Sequence, residues 1–169
     1  YPMMNENRTA FLSMLAHSEG TSTSPATLDR GYDVIVTGSD GVPETFTDYR
    51  AHPFADGRPS KVINSRGLTS NASGRYQFML RDYFHYKTLL HLPDFGPDSQ
   101  DLWAIQLIRE RGALPLIDMG SFAMAVARCS NLWASLPGAG YSQHENHIDE
   151  LADAYRAAGG CWYDADSTA

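Results

Sequence analysis

The chain has 169 residues, 43% of them hydrophobic and 20% charged, with a formal net charge of -7. That length suits one compact domain with its own core, and no apolar run approaches the roughly 20 residues that span a bilayer. Thirteen basic residues scattered along an acidic chain exclude a concentrated phosphate-binding field, so nucleic acid is not expected as a partner, and neither is stable membrane insertion. The expectation is an α+β fold, α-rich, in a single domain over 1–169, with loose ends at 1–4 and 162–169. Tyr1-Pro2-Met3-Met4 offers no basic segment followed by an apolar stretch, so no secretory signal is expected.

In chain order, Asn5 can cap a first helix running to Ser18, with Phe11, Leu12, Met14 and Leu15 on an apolar stripe, and Gly20 ends it. Residues 21–29 are polar and read as a loop. Residues 32–37 are β-branched, 38–41 are turn-like and 44–49 alternate, which predicts a β-hairpin. The stretch 51–73 is rich in Pro, Gly, Asn and Ser and reads as a long loop anchored by Val62 and Ile63.

A helical pattern runs from Arg75 to Leu90 through Tyr76, Met79, Leu80, Tyr83 and Phe84. Pro97 can open a further helix carrying Leu102, Ile105 and Ile108, which Gly112 closes. Short helices are expected around Leu116 and Phe122, a loop at 136–140, and a terminal helix through Ile148, Leu151, Ala152 and Tyr155. Cys129 falls at helical spacing from Phe122 and Val126 and reads as a buried thiol. With Cys161 it makes two cysteines, too few for a disulfide framework.

Glu19 sits where the first helix ends, and the unpaired carbonyls there disfavour a carboxylate. If burial adds to that, the group becomes an acid able to donate a proton near neutral pH. Position alone leaves two readings open, this acid and an ordinary exposed helix-terminal glutamate. In Ser73-Gly74-Arg75-Tyr76-Gln77-Phe78, Gly74 allows close backbone approach, and the Gln77 amide suits sugar hydroxyl and acetamide groups. The competing reading is a helix opening with Tyr76 packed in the core. Asp33, Asp40 and Asp48 follow Glu19 closely enough to suggest a two-carboxylate pairing, but turn and hairpin hydrogen bonding accounts for them more simply. His144-Glu145-Asn146-His147 lacks the four-residue histidine spacing of a helical zinc site, and no metal or cofactor is expected. Asn71-Ala72-Ser73 reads as a coincidental match to a glycosylation acceptor.

Several blocks recur in order: Ala16-His17-Ser18-Glu19-Gly20-Thr21, Gly31-Tyr32-Asp33-Val34-Ile35-Val36, Phe46-Thr47-Asp48-Tyr49, Gly74-Arg75-Tyr76-Gln77, Glu110-Arg111-Gly112-Ala113-Leu114-Pro115, and a long run from Arg128 to Tyr141. Together they resemble the lambda-type phage endolysins along nearly the whole chain. The resemblance implies a lysozyme-like fold and cleavage of the β-1,4 bond between N-acetylmuramic acid and N-acetylglucosamine, leaving a 1,6-anhydro end. It also implies that one glutamate, Glu19, is both acid and base, because the muramic acid 6-hydroxyl replaces water.

Gln77, Tyr76, Tyr32 and Tyr141 are the expected substrate contacts. The cleft loops would be 53–73 and 138–147, and both the hairpin tip at 39–45 and the loop at 54–70 read as longer than the family pattern. The expected partner is the glycan strand of peptidoglycan, met by a monomer that waits in the bacterial cytoplasm until another factor permeabilises the inner membrane. The alternatives are a hydrolytic muramidase using Asp33 or Asp48, a silent wall-binding module, and a zinc amidase.

Overall fold

A computed structural model describes residues 4–138 and 146–162. They form ten elements: α1 (Glu6–Ser18), β1 (Val34–Ile35), β2 (Glu44–Thr45), β3 (Lys61–Val62), β4 (Thr69–Ser70), α2 (Leu80–Leu90), α3 (Pro97–Glu110), α4 (Leu114–Asp118), α5 (Phe122–Cys129) and α6 (Ile148–Ala157). The architecture is α-rich with two small antiparallel hairpins, as the α+β expectation has it. The chain divides into two compact units, one of Tyr1–Glu19 with Ala104–Ala169 and one of Gly20–Trp103.

The first unit is built around α1. Asn5 caps it by accepting a hydrogen bond from the Arg8 amide at 2.8 Å. Ala10, Phe11, Leu12, Met14, Leu15 and Ala16 are all buried, so the apolar surface extends well beyond one stripe, as befits a helix inside its core. The helices α4 and α6 pack against it. Phe122 of α5 meets Phe11 edge-on at 6.1 Å and stacks on Tyr155 of α6 at 4.4 Å. Each such buried ring contributes about 2–3 kcal/mol of hydrophobic free energy.

Asn7, nearly buried within this core, donates to the Ile117 carbonyl and accepts from the Cys161 amide, both at 2.9 Å. On the rim, Arg8 forks onto both Asp118 oxygens, at 2.9 and 2.7 Å. Cys129 is buried, and burial pushes its thiol pKa up to about 12; Cys161 is exposed, and neither forms a disulfide.

In the second unit, Val34 pairs with Thr45 and Ile35 with Glu44, the hairpin expected from the alternation. On the other side of β1, the Val36 amide reaches the Ala72 carbonyl and the Gly74 amide reaches the Val34 carbonyl. This seats the 72–74 segment against the hairpin. The stretch 51–73 is not one open loop: Lys61 pairs with Ser70 and Val62 with Thr69 in a second hairpin. Its strands are two residues long and half exposed, so no alternation marks them in the sequence.

The expected helix from Arg75 begins only at Leu80. Ser73 and Phe78 exchange both backbone hydrogen bonds, and Gln77 takes a left-handed φ of 57°, so 73–78 is a tight turn. The apolar side chains that suggested a helix there pack instead from the turn: Phe78 stacks on Trp103 at 3.9 Å with the rings 5° apart.

Candidate active site

Helix α1 ends because Gly20 adopts φ +75°, a left-handed conformation that glycine takes without penalty. Glu19 is therefore the last residue held by the helix, its amide bonded to the Leu15 carbonyl at 2.8 Å. Its side chain is mostly withdrawn from solvent and accepts a 2.6 Å hydrogen bond at Oε2 from the Ser135 hydroxyl. Burial pushes the Glu19 pKa up to about 7, and the Ser135 hydrogen bond opposes the rise. An acid in that range is close to half protonated at neutral pH. It can give a proton and, once ionised, take one back.

Ser135 belongs to a wider set of polar contacts in this unit. Its Oγ lies 2.8 Å from Ser18 Oγ, and its carbonyl accepts from the Asn146 amide at 2.8 Å. The Asn146 side-chain amide donates to the Ser18 carbonyl at 2.9 Å and to Ser18 Oγ at 3.0 Å. It thereby satisfies one of the last carbonyls of α1. None of the three residues is evident as functional from sequence alone. The available signals were the adjacency of Ser18 to Glu19 and the position of Ser135 inside the matched block from Arg128 to Tyr141.

The second unit holds the Gly74-Arg75-Tyr76-Gln77 turn. Gly74 has φ +85°, and a Cβ there would lie 2.4 Å from the Gln100 Oε1, so only glycine lets the turn close on that side chain. Gln100 is fully buried: it accepts from the Arg75 amide at 2.8 Å and donates to the Phe95 and Tyr32 carbonyls at 2.8 and 3.1 Å. The Gln77 side-chain amide donates to the Gly74 carbonyl at 3.0 Å, leaving Oε1 as the atom suited to accept from a ligand. Gln77 is partly exposed.

Tyr76 has no accessible surface and Tyr32 only 4%, so neither presents a ring face to solvent. Both hydroxyls are donated to Asp101, that of Tyr32 at 2.9 Å to Oδ1. Arg75 lies over the Tyr32 ring and donates to the Tyr32 and Tyr76 hydroxyls at 3.3 and 3.1 Å. The core reading of Tyr76 therefore describes its placement. Tyr141, His144 and Glu145 lie outside the described residues, while His147 is the exposed N-cap of α6.

The neighbouring aspartates are occupied by local structure. Asp33 is buried, accepting from the Thr27 hydroxyl and the Leu28 amide. Asp48 is exposed and gripped by Arg50 at 2.8 Å, and those hydrogen bonds hold its pKa down at about 2. Asp40 accepts from the Val42 amide at the hairpin tip. A second buried group, His52, lies outside the expected sites: its Nε2 donates to the Phe78 carbonyl at 2.9 Å and its Nδ1 accepts from the Phe54 amide, and burial lowers its pKa.

A family model described as endolysin matches residues 9–162. The endolysin of Escherichia phage P2 is 59% identical over 161 residues, covering 94% of this chain and 98% of that protein. The endolysin of Escherichia phage lambda is 49% identical over 158 residues, covering 93% and 94%. The solved structure of bacteriophage lambda lysozyme complexed with a chitohexasaccharide superposes with a TM-score of 0.87 at 48% identity, over 96% of this chain and 100% of that one. Another structure of lysozyme from bacteriophage lambda gives 0.83 at 47% identity, with the same coverage.

With a lysozyme-like fold and endolysin relatives along nearly its whole length, the protein is a peptidoglycan lytic transglycosylase acting in host lysis. The chain belongs to the endolysin family.

Proposed function

We propose that Glu19 is the single acid and base of this transglycosylase and that Gln77 is a saccharide contact. Glu19 protonates the glycosidic oxygen between N-acetylmuramic acid and N-acetylglucosamine, the C1–O bond breaks, and positive charge develops at the muramic C1. The Glu19 carboxylate then accepts the proton of the muramic 6-hydroxyl as O6 bonds to C1. The acid returns to its starting form and no water is consumed. The observation that carries this reading is a withdrawn carboxyl whose pKa rises to about 7, bonded among the described residues by a neutral hydroxyl and not by a cation.

Asp33 and Asp48 are engaged by their own loops, which favours the one-carboxylate route over a muramidase that activates water. Gln77 Oε1 accepts from a sugar hydroxyl or acetamide N–H, while Tyr32 and Tyr76 shape the turn from beneath through Asp101. No helix among the described residues is long and apolar enough to cross a membrane. The proposed route to the wall is through an inner membrane that another factor has opened. Mass analysis of purified peptidoglycan after digestion is the test: anhydro-muramoyl ends are expected, and reducing ends would refute the non-hydrolytic route.

A further inference from the structure

We propose that Ser135, oriented by Ser18 and Asn146, is a positioning residue for the reaction, holding Oε2 of Glu19 so that Oε1 is the oxygen exchanging protons with the substrate. The inference rests on the reading of Glu19 as acid and base. Ser135 is reached by a chain of hydrogen bonds whose two ends, an amide donor and the ionised Glu19 acceptor, give it one direction.

The Ser18 carbonyl can only accept, so the Asn146 atom 2.9 Å from it is the amide nitrogen. The same nitrogen, 3.0 Å from Ser18 Oγ, must donate there too. Ser18 can then pass its own hydroxyl proton to Ser135 Oγ at 2.8 Å, and Ser135 donates to Glu19 Oε2 at 2.6 Å. Every donor in the series points towards Glu19, which suits its ionised form, and charge-assisted bonds of this length are the strong ones. In the acid form the same bond occupies Oε2 as an acceptor and leaves the proton on Oε1.

The series is tied to the backbone at two places. The Asn146 amide donates to the Ser135 carbonyl at 2.8 Å, and the Asn146 side chain caps α1 through Ser18. The hydroxyl that reaches Glu19 is thus fixed relative to the helix that carries Glu19. No charged group among the described residues shares this task. Burial and the Ser135 hydroxyl set the Glu19 proton affinity, and His17 of α1 and Glu150 of α6 face each other at 3.1 Å.

Two readouts on the full chain test this: an NMR titration of the Glu19 side-chain carboxyl, and the pH profile of peptidoglycan cleavage. Ser135→Ala is expected to raise the titration midpoint, and with it the alkaline limb of activity, by about one pH unit. It should lower kcat about tenfold with KM within about twofold, since Ser135 acts through Glu19 and not on the sugar. Ser135→Thr, which keeps a hydroxyl, should restore the midpoint and the limb. A purely structural serine would leave both in place. Ser18→Ala should shift them in the same direction by less, and it serves if Ser135→Ala does not fold.

An unmoved midpoint and limb in Ser135→Ala, or in Ser18→Ala where that variant serves, beside an inactive Glu19→Gln, would overturn the positioning role alone. An active Glu19→Gln would overturn the acid assignment itself. A midpoint that moves while the limb stays put would also overturn the positioning role, since Ser135 would then govern the carboxyl without governing the reaction.

Discussion

Glu19 and Asp101 are both carboxylates whose pKa burial raises, one in each compact unit, and they are treated in opposite ways. Asp101 receives two tyrosine hydroxyls and feels the nearby Arg75 guanidinium, so its charge is compensated and its acceptors are filled. Among the described residues Glu19 has one neutral hydroxyl and no cation, so its burial remains uncompensated. A carboxylate that is fully served holds structure together. One that is left short keeps a proton near neutral pH and has an oxygen available for chemistry.

The largest effect should come from removing the acid. Glu19→Gln should abolish wall cleavage by at least about a thousandfold in a turbidity assay while keeping the circular dichroism of the parent. The same variant sharpens the comparison through stability. The folded pKa of about 7 lies above the ordinary 4.5, so the folded state holds this proton more tightly than the unfolded chain. Stability from the group is complete below about pH 4.5, declines as pH rises towards 7, and is constant above. Denaturant unfolding should therefore find Glu19→Gln more stable than the parent by up to roughly 3 kcal/mol at pH 8 and by nearly nothing at pH 4. An equal difference at both pH values would break the contrast.

Asp101→Ala should do the reverse. It leaves two buried tyrosine hydroxyls without their acceptor and should destabilise the fold by about 2–4 kcal/mol, while the protein that remains folded keeps the parental pH profile. Gly74→Ala attacks the same turn from the backbone side. The added methyl meets Gln100 in a left-handed conformation and should cost about 2 kcal/mol, read as a lower unfolding midpoint with an unchanged m-value. The smallest effect belongs to Asp48→Asn: both it and its partner Arg50 are exposed, so cleavage should stay within about twofold of the parent. A large loss there would favour a second carboxylate in the mechanism.

Much of the architecture can be read directly from residue types. The Asn5 cap, the Gly20 stop, the Pro97 start and the periodicity of α3, α5 and α6 are local signals, and each element lies close to where they put it. The misreadings also have local causes. The second hairpin was invisible because strands two residues long and half exposed carry no period. The turn at 73–78 resembled a helix because Tyr76, Met79, Leu80 and Tyr83 share helical spacing, whereas the Ser73–Phe78 exchange and the fit of Gly74 on Gln100 decide its shape.

For the proposed site, the sequence by itself singled out Glu19 through a chain-wide match of motifs, its helix-end position alone leaving an ordinary surface glutamate open. It also marked Gln77 through the same matched blocks. Tertiary structure alone decided how withdrawn Glu19 is, that Ser135, 116 residues away, is its donor, and that Tyr32 and Tyr76 turn inward to Asp101. The physical reason is that a pKa depends on desolvation and on the donors around a group. Those donors arrive from segments whose spacing in the chain carries no period to read.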